Sequence, residues 1–470
     1  MEDSKYKYRY LAKVVIGAVT PLSIGSGTKD IMTDSIILKD CNGLPYIPGT
    51  SIAGVLRHYI DEANNQLSDK ISEDKRETKY FGYQLPFKDK SSQGSEIIFS
   101  DAKMVGTDGK AIDGLKKRSD LNTDYLQRYV DLPVRQHVKI NHRGVTDNHG
   151  KFDEQIVYAG TRFCFEIELL ASEKEISAKN FKQVLDVLQS GFFRIGGGTR
   201  KGFGAIEVKK NLLETAFLDF ESKEEKFKGC LKEYISKSSN LSEDWDGYNK
   251  YPFEYSKSDI LTTWQKYILV LEPEDFMMFG SGFADNEVDM TPVKGFKVVW
   301  KDDKSPEVQD NKILIPATSL KGAIRHRVAF HWNKITGDRK ECDKNDAVLA
   351  LFGPEGSEKD CKNQKRGNVI FSDIIEDKSG TSEKILNHVA IDRFTGGAID
   401  GALFSEKTIY AKGKKFVTEI YVNTSAFEDK DGNIIKAFED TLDDIKNGLL
   451  PLGGGVNRGN GIFGGDWSKQ

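Results

Sequence analysis

Apolar residues recur along this chain in two spacings, and the two spacings mark out the same series of elements twice. Residues 8–20 (Tyr-Arg-Tyr-Leu-Ala-Lys-Val-Val-Ile-Gly-Ala-Val-Thr) and 266–272 are apolar-rich and partly alternating, which predicts strands. Ile52, Val55, Leu56 and Tyr59 fall at helical spacing behind Thr50-Ser51, and Leu320, Ala323 and Ile324 do so behind Thr318-Ser319. The hydroxyl residues are the expected N-caps. Residues 161–171 and 415–422 again predict strands, and Phe181, Val184, Leu185 and Leu188 give 178–191 a helical stripe with Gly191 as a stop.

The repetition is literal. Residues 47–58 and 315–326 keep Ile-Pro, Thr-Ser, Gly and Arg-His in register. Upstream, Gly25-Ser26-Gly27 with Asp34 matches Gly280-Ser281-Gly282 with Asp289, and a second acid, Asp30 or Asp285, precedes each. Downstream, Phe81-Gly82 matches Phe352-Gly353, and Ile98-Phe99-Ser100-Asp101 matches Ile370-Phe371-Ser372-Asp373. His137-Val138 then matches His388-Val389, and Gly196–Gly204 matches Gly453–Gly461. Segments in one order at similar offsets predict two modules, residues 1–215 and 265–470, joined by a charged connection, 216–264, long enough to hold a helix.

Composition narrows the class. The chain has 470 residues, of which 38% are hydrophobic and 30% charged, enough to build cores in a soluble protein. It has no run of about 18 apolar residues and no signal-peptide core at Met1-Glu2-Asp3, so a cytoplasmic location with no membrane role is expected. Cys41, Cys164, Cys230, Cys342 and Cys361 are odd in number and form no C-x-x-C pair, which disfavours a disulfide framework or a zinc site. The net charge is −4, yet Arg57, Arg135, Lys139, Arg143, Arg200, Lys201, Arg325, Arg327, Arg393 and Arg458 sit in or beside the repeated motifs, so the charge is segregated.

The motifs suggest anion chemistry. The glycine loops carry Arg200-Lys201 and Arg458, and glycine lets backbone N–H groups approach an anion; the same glycines also suit tight turns. Neither loop has the Lys-Ser/Thr pair of a P-loop, which disfavours ATP chemistry. At the two helix starts, Ser51 and Ser319 lie among N–H groups that favour phosphate, and Gly54 or Gly322 leaves one position bare three residues before Arg57 or Arg325. Asp34 and Asp289 follow glycine turns, where a carboxylate beside a phosphodiester holds a divalent metal or positions a nucleophile. Excursions at 134–158 and 386–410 are polar and basic, as partner-contacting segments are. His58, His137, His326 and His388 have neither metal-ligand spacing nor a nucleophile partner, so zinc-enzyme and triad readings fail.

The ordered motifs resemble the RAMP superfamily of CRISPR-associated proteins over residues 7–210 and 265–467, and more narrowly the Cas-seven-like backbone subunits of type III effector complexes. The resemblance implies an α+β fold of two tandem RRM-like (ferredoxin-like) modules, each with a thumb-like insertion. It implies partners that are crRNA, complementary target RNA and other effector subunits. It assigns RNA contacts to Gly25, Gly27, Ser51, Gly54, Arg57, His58, His137, Lys139, Arg200 and Lys201 in the first copy. In the second these are Gly280, Gly282, Ser319, Lys321, Gly322, Arg325, His326, His388, Arg393 and Arg458. It makes Asp34 and Asp289 the catalytic and metal-holding residues of a magnesium-dependent cut in target RNA, with Met290 standing where the family usually has Ser. Two alternatives are a non-catalytic crRNA-binding scaffold and a crRNA-processing endoribonuclease using His58 or His326 as general base.

Overall fold

A computed structural model of the chain describes residues 6–28, 33–64, 76–84, 92–141, 145–222, 232, 234–236, 241–242, 245, 263–354 and 366–470. The first half contains β1 (Tyr8–Ala18), α1 (Gly49–Ala63), β2 (Ile97–Phe99), β3 (Lys103–Met104), α2 (Asp124–Gln127), β4 (Val134–Ile140) and β5 (Thr146–Gln155). It continues with β6 (Arg162–Ala171), α3 (Lys174–Leu188), β7 (Ile206–Val208) and β8 (Glu214–Asp219). The second half contains β9 (Trp264–Pro273), β10 (Phe276–Met277), β11 (Lys294–Lys301), β12 (Ser305–Ile315), α4 (Ala317–Thr336) and α5 (Asp346–Phe352). Then come β13 (Val369–Ile370), β14 (Ile374–Glu376), β15 (Ser382–Ile391), β16 (Ala398–Tyr410), β17 (Phe416–Asn423), α6 (Asn433–Lys446) and β18 (Phe463–Lys469).

The two main sheets run β2-β6-β1-β7 and β13-β17-β9-β18, with antiparallel neighbours, so the halves share one strand order. Alternation sets the buried face: Tyr10, Ala12, Val14 and Ile16 of β1 and Phe163, Phe165, Ile167 and Leu169 of β6 lie under the apolar stripes of α1 and α3. Tyr267, Leu269 and Leu271 of β9 lie likewise under Leu320, Ile324 and Val328 of α4 and Phe438, Leu442 and Ile445 of α6. The first sheet is covered on its other face too, where Leu11 packs with Leu218 and Trp245, and Val15 with Cys164 and Leu241.

Two expectations change. The connection beginning at 216 starts inside β8, which pairs with β1, and most of its remainder, 223–262, lies outside the described residues. The N-caps are Pro48 and Pro316, without side-chain capping bonds, and Thr50-Ser51 and Thr318-Ser319 lie inside the first turns. The first free N–H groups go to carboxylates from elsewhere: Gly49 N donates to Asp101 Oδ1 (3.1 Å) and Ala317 N to Asp373 Oδ1 (2.8 Å). A carboxylate satisfies an orphan N–H and opposes the helix dipole, so a hydroxyl cap is not needed.

The halves are firmly joined. Arg135 Nη1 donates to Asp373 Oδ2 (2.9 Å), Arg194 Nη2 to Ser372 Oγ (2.9 Å) and Arg200 Nε to the Gly367 carbonyl (2.7 Å). Phe192 stacks on Trp264 with ring centroids 5.2 Å apart. Gly202 has a φ of +106°, and a Cβ there would lie 2.3 Å from that of Ala317, so only glycine fits.

The excursions are hairpins, β4–β5 and β15–β16, and their outer parts expose apolar side chains, including Ile140, Leu403 and Phe394, the last 88% exposed. Among the described residues, no helix is long and apolar enough to cross a membrane.

Candidate functional site

In each half the glycine turn folds back on the segment carrying the repeated Asp. Gly25 bridges to Ile37 and Gly280 to Pro292, with Ser26 N donating to Ile36 O (2.9 Å) and Ser281 N to Thr291 O (2.8 Å). Gly27 and Gly282 take φ of +78° and +84° at the tips. The segment then runs parallel to the returning hairpin strand, with Ser35 paired to Glu154 and Met290 to Glu406. This docking fixes the acids. Asp34 Oδ2 accepts from Asp153 N (3.1 Å); Asp289 Oδ2 accepts from Ser405 N (2.8 Å) and Ser405 Oγ (2.9 Å). Both acids are exposed. The Ser405 backbone N–H and then its hydroxyl hold Asp289 below the usual carboxylate range.

The acid that precedes Asp289 is different. Asp285 takes the N–H groups of Glu287 (2.8 Å) and Val288 (2.9 Å) and the ammonium of Lys407 (3.0 Å), which bring its pKa down to about 2, the Glu287 N–H contributing most. It is a turn-stabilising carboxylate already satisfied by the chain. Asp30 lies outside the described residues, as does Arg143.

No three His, Cys, Asp or Glu side chains converge on a metal position among the described residues. Neither repeated Asp therefore belongs to a cluster of three such ligands. So small a donor set does not make a protein-only cage, but it suits a magnesium ion that keeps its waters and takes substrate phosphate as a further ligand.

Behind each repeated Asp lies a quartet, built around a buried glutamate, that is absent from the motif reading. His137 Nε2 is 2.8 Å from Glu154 Oε1, Lys201 Nζ is 3.2 Å from the same oxygen, and the His137 ring stacks on Phe152 at 4.8 Å. In the second half His388 Nε2 is 3.0 Å from Glu406 Oε1, Arg458 Nη2 is 2.6 Å from Glu406 Oε2, and His388 stacks on Phe404 at 4.9 Å. Asn460 Nδ2 adds a bond to Glu406 (3.0 Å). Burial alone would raise both glutamates; His137 and Lys201 outweigh it for Glu154, and Arg458 and His388 for Glu406, so both are held below the usual range. The quartet clamps hairpin root to glycine loop, and His137, Lys201, His388 and Arg458 are its members. A sequence signal existed: Phe152-x-Glu154-x-x-x-Tyr158-Ala159 repeats as Phe404-x-Glu406-x-x-x-Tyr410-Ala411.

The glycine loops have an internal reason for their glycines. A Cβ on Gly196 would lie 2.6 Å from Ser23 O, and one on Gly453 2.4 Å from Met278 O. Gly197 N and Gly454 N donate to those same carbonyls (2.6 and 2.7 Å), so these amides serve the chain itself. Arg200 is turned into the junction between the halves, where burial and then Arg366 bring its pKa down to about 10.

On the helices, Gly54 and Gly322 have nothing within 4 Å of an added Cβ, so close packing on a sheet does not explain them. Ser51 N and Ser319 N close on the Pro48 and Pro316 carbonyls (2.9 and 3.0 Å). Arg57 lies 3.9 Å from buried Asp61, and Arg325 2.7 Å from Asp343. Burial and then the charge of Arg366 lower the His58 pKa. Lys321 is the exception among these basic groups. Burial, then Arg200, Arg325 and Lys201, push its ammonium down to about 8. These four cations bring to the α4 start of the second half a positive locus next to a bare helical glycine. Lys139 and Arg393 are exposed on the hairpins.

Residues 16–207 and 278–464 each match the RAMP superfamily. Over 262 residues, 53% of this chain, it is 24% identical to the CRISPR system Cms endoribonuclease Csm3 of Methanocaldococcus jannaschii, of which the match covers 99%. A full-length relative thus spans about half of this chain, in keeping with the doubled strand order and the doubled Asp loop. The chain belongs to the RAMP superfamily.

Proposed function

We propose that this chain is a tandem Cas-seven-like backbone subunit of a type III CRISPR effector, binding crRNA and cutting paired target RNA at two positions. The reading treats 1–215 and 265–470 as two ferredoxin-like (RRM-like) modules with thumbs at β4–β5 and β15–β16, joined by 216–264. The strand orders β2-β6-β1-β7 and β13-β17-β9-β18 support it.

The observation that carries it is the repeated placement of Asp34 and Asp289, each exposed and each bonded to the hairpin-root amide next to a buried glutamate that pairs with a histidine. Exposed carboxylates fixed at the root of a protruding hairpin suit a phosphodiester brought there by base pairing, while chain groups grip the backbone without reading sequence. A bound magnesium ion would activate water and offset phosphate charge. The protein's own part is to hold the carboxylate in place, with Lys321 and its basic neighbours drawing the RNA backbone to the second helix start.

A scaffold role without cleavage is the second reading, favoured by the lack of a three-ligand cluster among the described residues and by the Ser405 hydroxyl that occupies Asp289 Oδ2. Reconstitution with guide and labelled complementary RNA tests both. Asp34→Ala and Asp289→Ala should each remove one distinct product with assembly intact, and EDTA should stop all cutting. Unchanged products would leave the scaffold reading standing, and loss of guide maturation in His58 or His326 variants would favour the processing enzyme.

A further inference from the structure

The junction between the halves displays one way in which two RAMP modules dock, and the chain carries that docking chemistry unequally at its ends. The socket on the second module is Asp373, whose Oδ1 accepts Ala317 N and whose Oδ2 takes Arg135, with Ser372 beside it taking Arg194. The arginine and aspartate side chains are 7% and 0% exposed. The first module repeats the socket. Asp101 Oδ1 accepts Gly49 N, Ser100 stands at the Ser372 position, and the Asp101 side chain remains 47% exposed, with Lys103 3.5 Å from Oδ2.

The arginine face that fills such a socket is not repeated. Arg135 pairs across its hairpin with Glu154, and the residue paired with Glu406 is Leu386. Arg194 stands two residues before Gly196, where the second copy has Pro451 before Gly453, and Arg200 corresponds to Asn457. Arg135, Arg194 and Arg200, the three arginines that meet the Gly367–Asp373 segment of the second module, are thus replaced in the second module by residues without charge. The exit face lacks the key, while the entrance keeps the lock.

We propose that the Asp101–Ser100 socket is the docking site for another RAMP module that presents an arginine at its hairpin root, and that this partner is a different protein rather than a second copy of this chain. A buried carboxylate facing Leu386 would go unpaired, which disfavours head-to-tail self-association. The loss of the three arginines thereby limits the chain to a defined place among non-identical subunits. This rests on the module junction and not on the cleavage reading, and its test contains no RNA.

Sedimentation velocity of the full chain should find a monomer across the micromolar range. The Leu386→Arg/Pro451→Arg/Asn457→Arg variant should form concentration-dependent head-to-tail oligomers. Adding Asp101→Asn, which keeps the acceptor for Gly49 N but removes the charge, should weaken them about tenfold or more. A wild-type chain that self-associates, an arginine-restored variant that stays monomeric, or oligomers indifferent to Asp101→Asn would each overturn the proposal. Circular dichroism of the restored variant confirms that it is folded before it is scored.

Discussion

Ser405 N donates to Asp289 Oδ2 at 2.8 Å, and Asp153 N does the same for Asp34 at 3.1 Å. In both halves the donor residue immediately precedes the buried glutamate of the quartet. The exposed acid is therefore indexed to the hairpin root through one peptide unit. That root is in turn clamped by Glu154 or Glu406 to the glycine loop, so disturbance of the clamp reaches the acid without any direct contact.

Asn in place of either Asp keeps a side-chain oxygen for that amide and removes the charge. Asp34→Asn and Asp289→Asn should each abolish one target-RNA product while leaving the thermal unfolding midpoint where it is. A midpoint drop on the scale of a core substitution would show that these acids hold the loop rather than act on RNA.

The quartets carry a pH signature. Glu154 and Glu406 are held below the usual range, so the folded state binds their protons less readily than the unfolded chain. Their stabilisation is fully present above the unfolded glutamate value, about 4.3, and is lost as pH falls through the lower folded values. Glu406→Gln should cost roughly 2 kcal/mol at pH 7, about 4–8 °C in unfolding midpoint, and the deficit should shrink below about pH 4. A deficit that stays constant down to pH 3, followed by circular dichroism, would deny the glutamate this role.

Much of this architecture was legible in the sequence, because strand alternation and helical stripes obey fixed periods: the strand expected at 8–20 spans Tyr8–Ala18, and the helix expected at 178–191 spans Lys174–Leu188. The repeat located the Asp loops for the same reason. What stayed hidden depended on residues distant in the chain. Asp101 and Asp373 displace the expected hydroxyl caps, and Arg200, expected to contact RNA, is claimed by the Gly367 carbonyl across the module junction. Glu154 and Glu406 escaped because a single acid in a polar hairpin looks solvated until its burial is known.

Arg135 and Asp373 bury opposite charges between the modules. Arg135→Leu strands the carboxylate, which retains only the Ala317 N–H among the contacts described for it. The loss should be about 3 kcal/mol. Calorimetry should show the single unfolding transition separating into two as the halves uncouple, and an unsplit, unshifted transition would mean that the apolar stacking of Phe192 on Trp264 suffices to join them.

Lys321 should give guide binding an alkaline limb. Its ammonium, lowered to about 8, loses its proton as pH rises past that value, whereas a nearby phosphate favours the charged form, so binding takes up a proton. Filter binding at constant salt should weaken by up to about tenfold between pH 7 and 9, and Lys321→Met should flatten that slope while also weakening binding at pH 7. A slope unchanged in the variant assigns the effect to another group.

Gly54 and Gly322 allow stability and binding to be separated. Each sits within a helix, where glycine is about 0.5–1 kcal/mol worse than alanine, and an added methyl meets nothing within 4 Å. Alanine at either position should therefore raise the unfolding midpoint of the isolated chain by about 1–4 °C. If the RNA backbone rests on that bare helical turn, the same methyl intrudes on it, and guide affinity should fall although the protein has become more stable. Opposite signs in the two measurements would distinguish a ligand-facing glycine from one retained for folding. A variant that gained stability and kept its guide affinity would move the RNA path away from these helices.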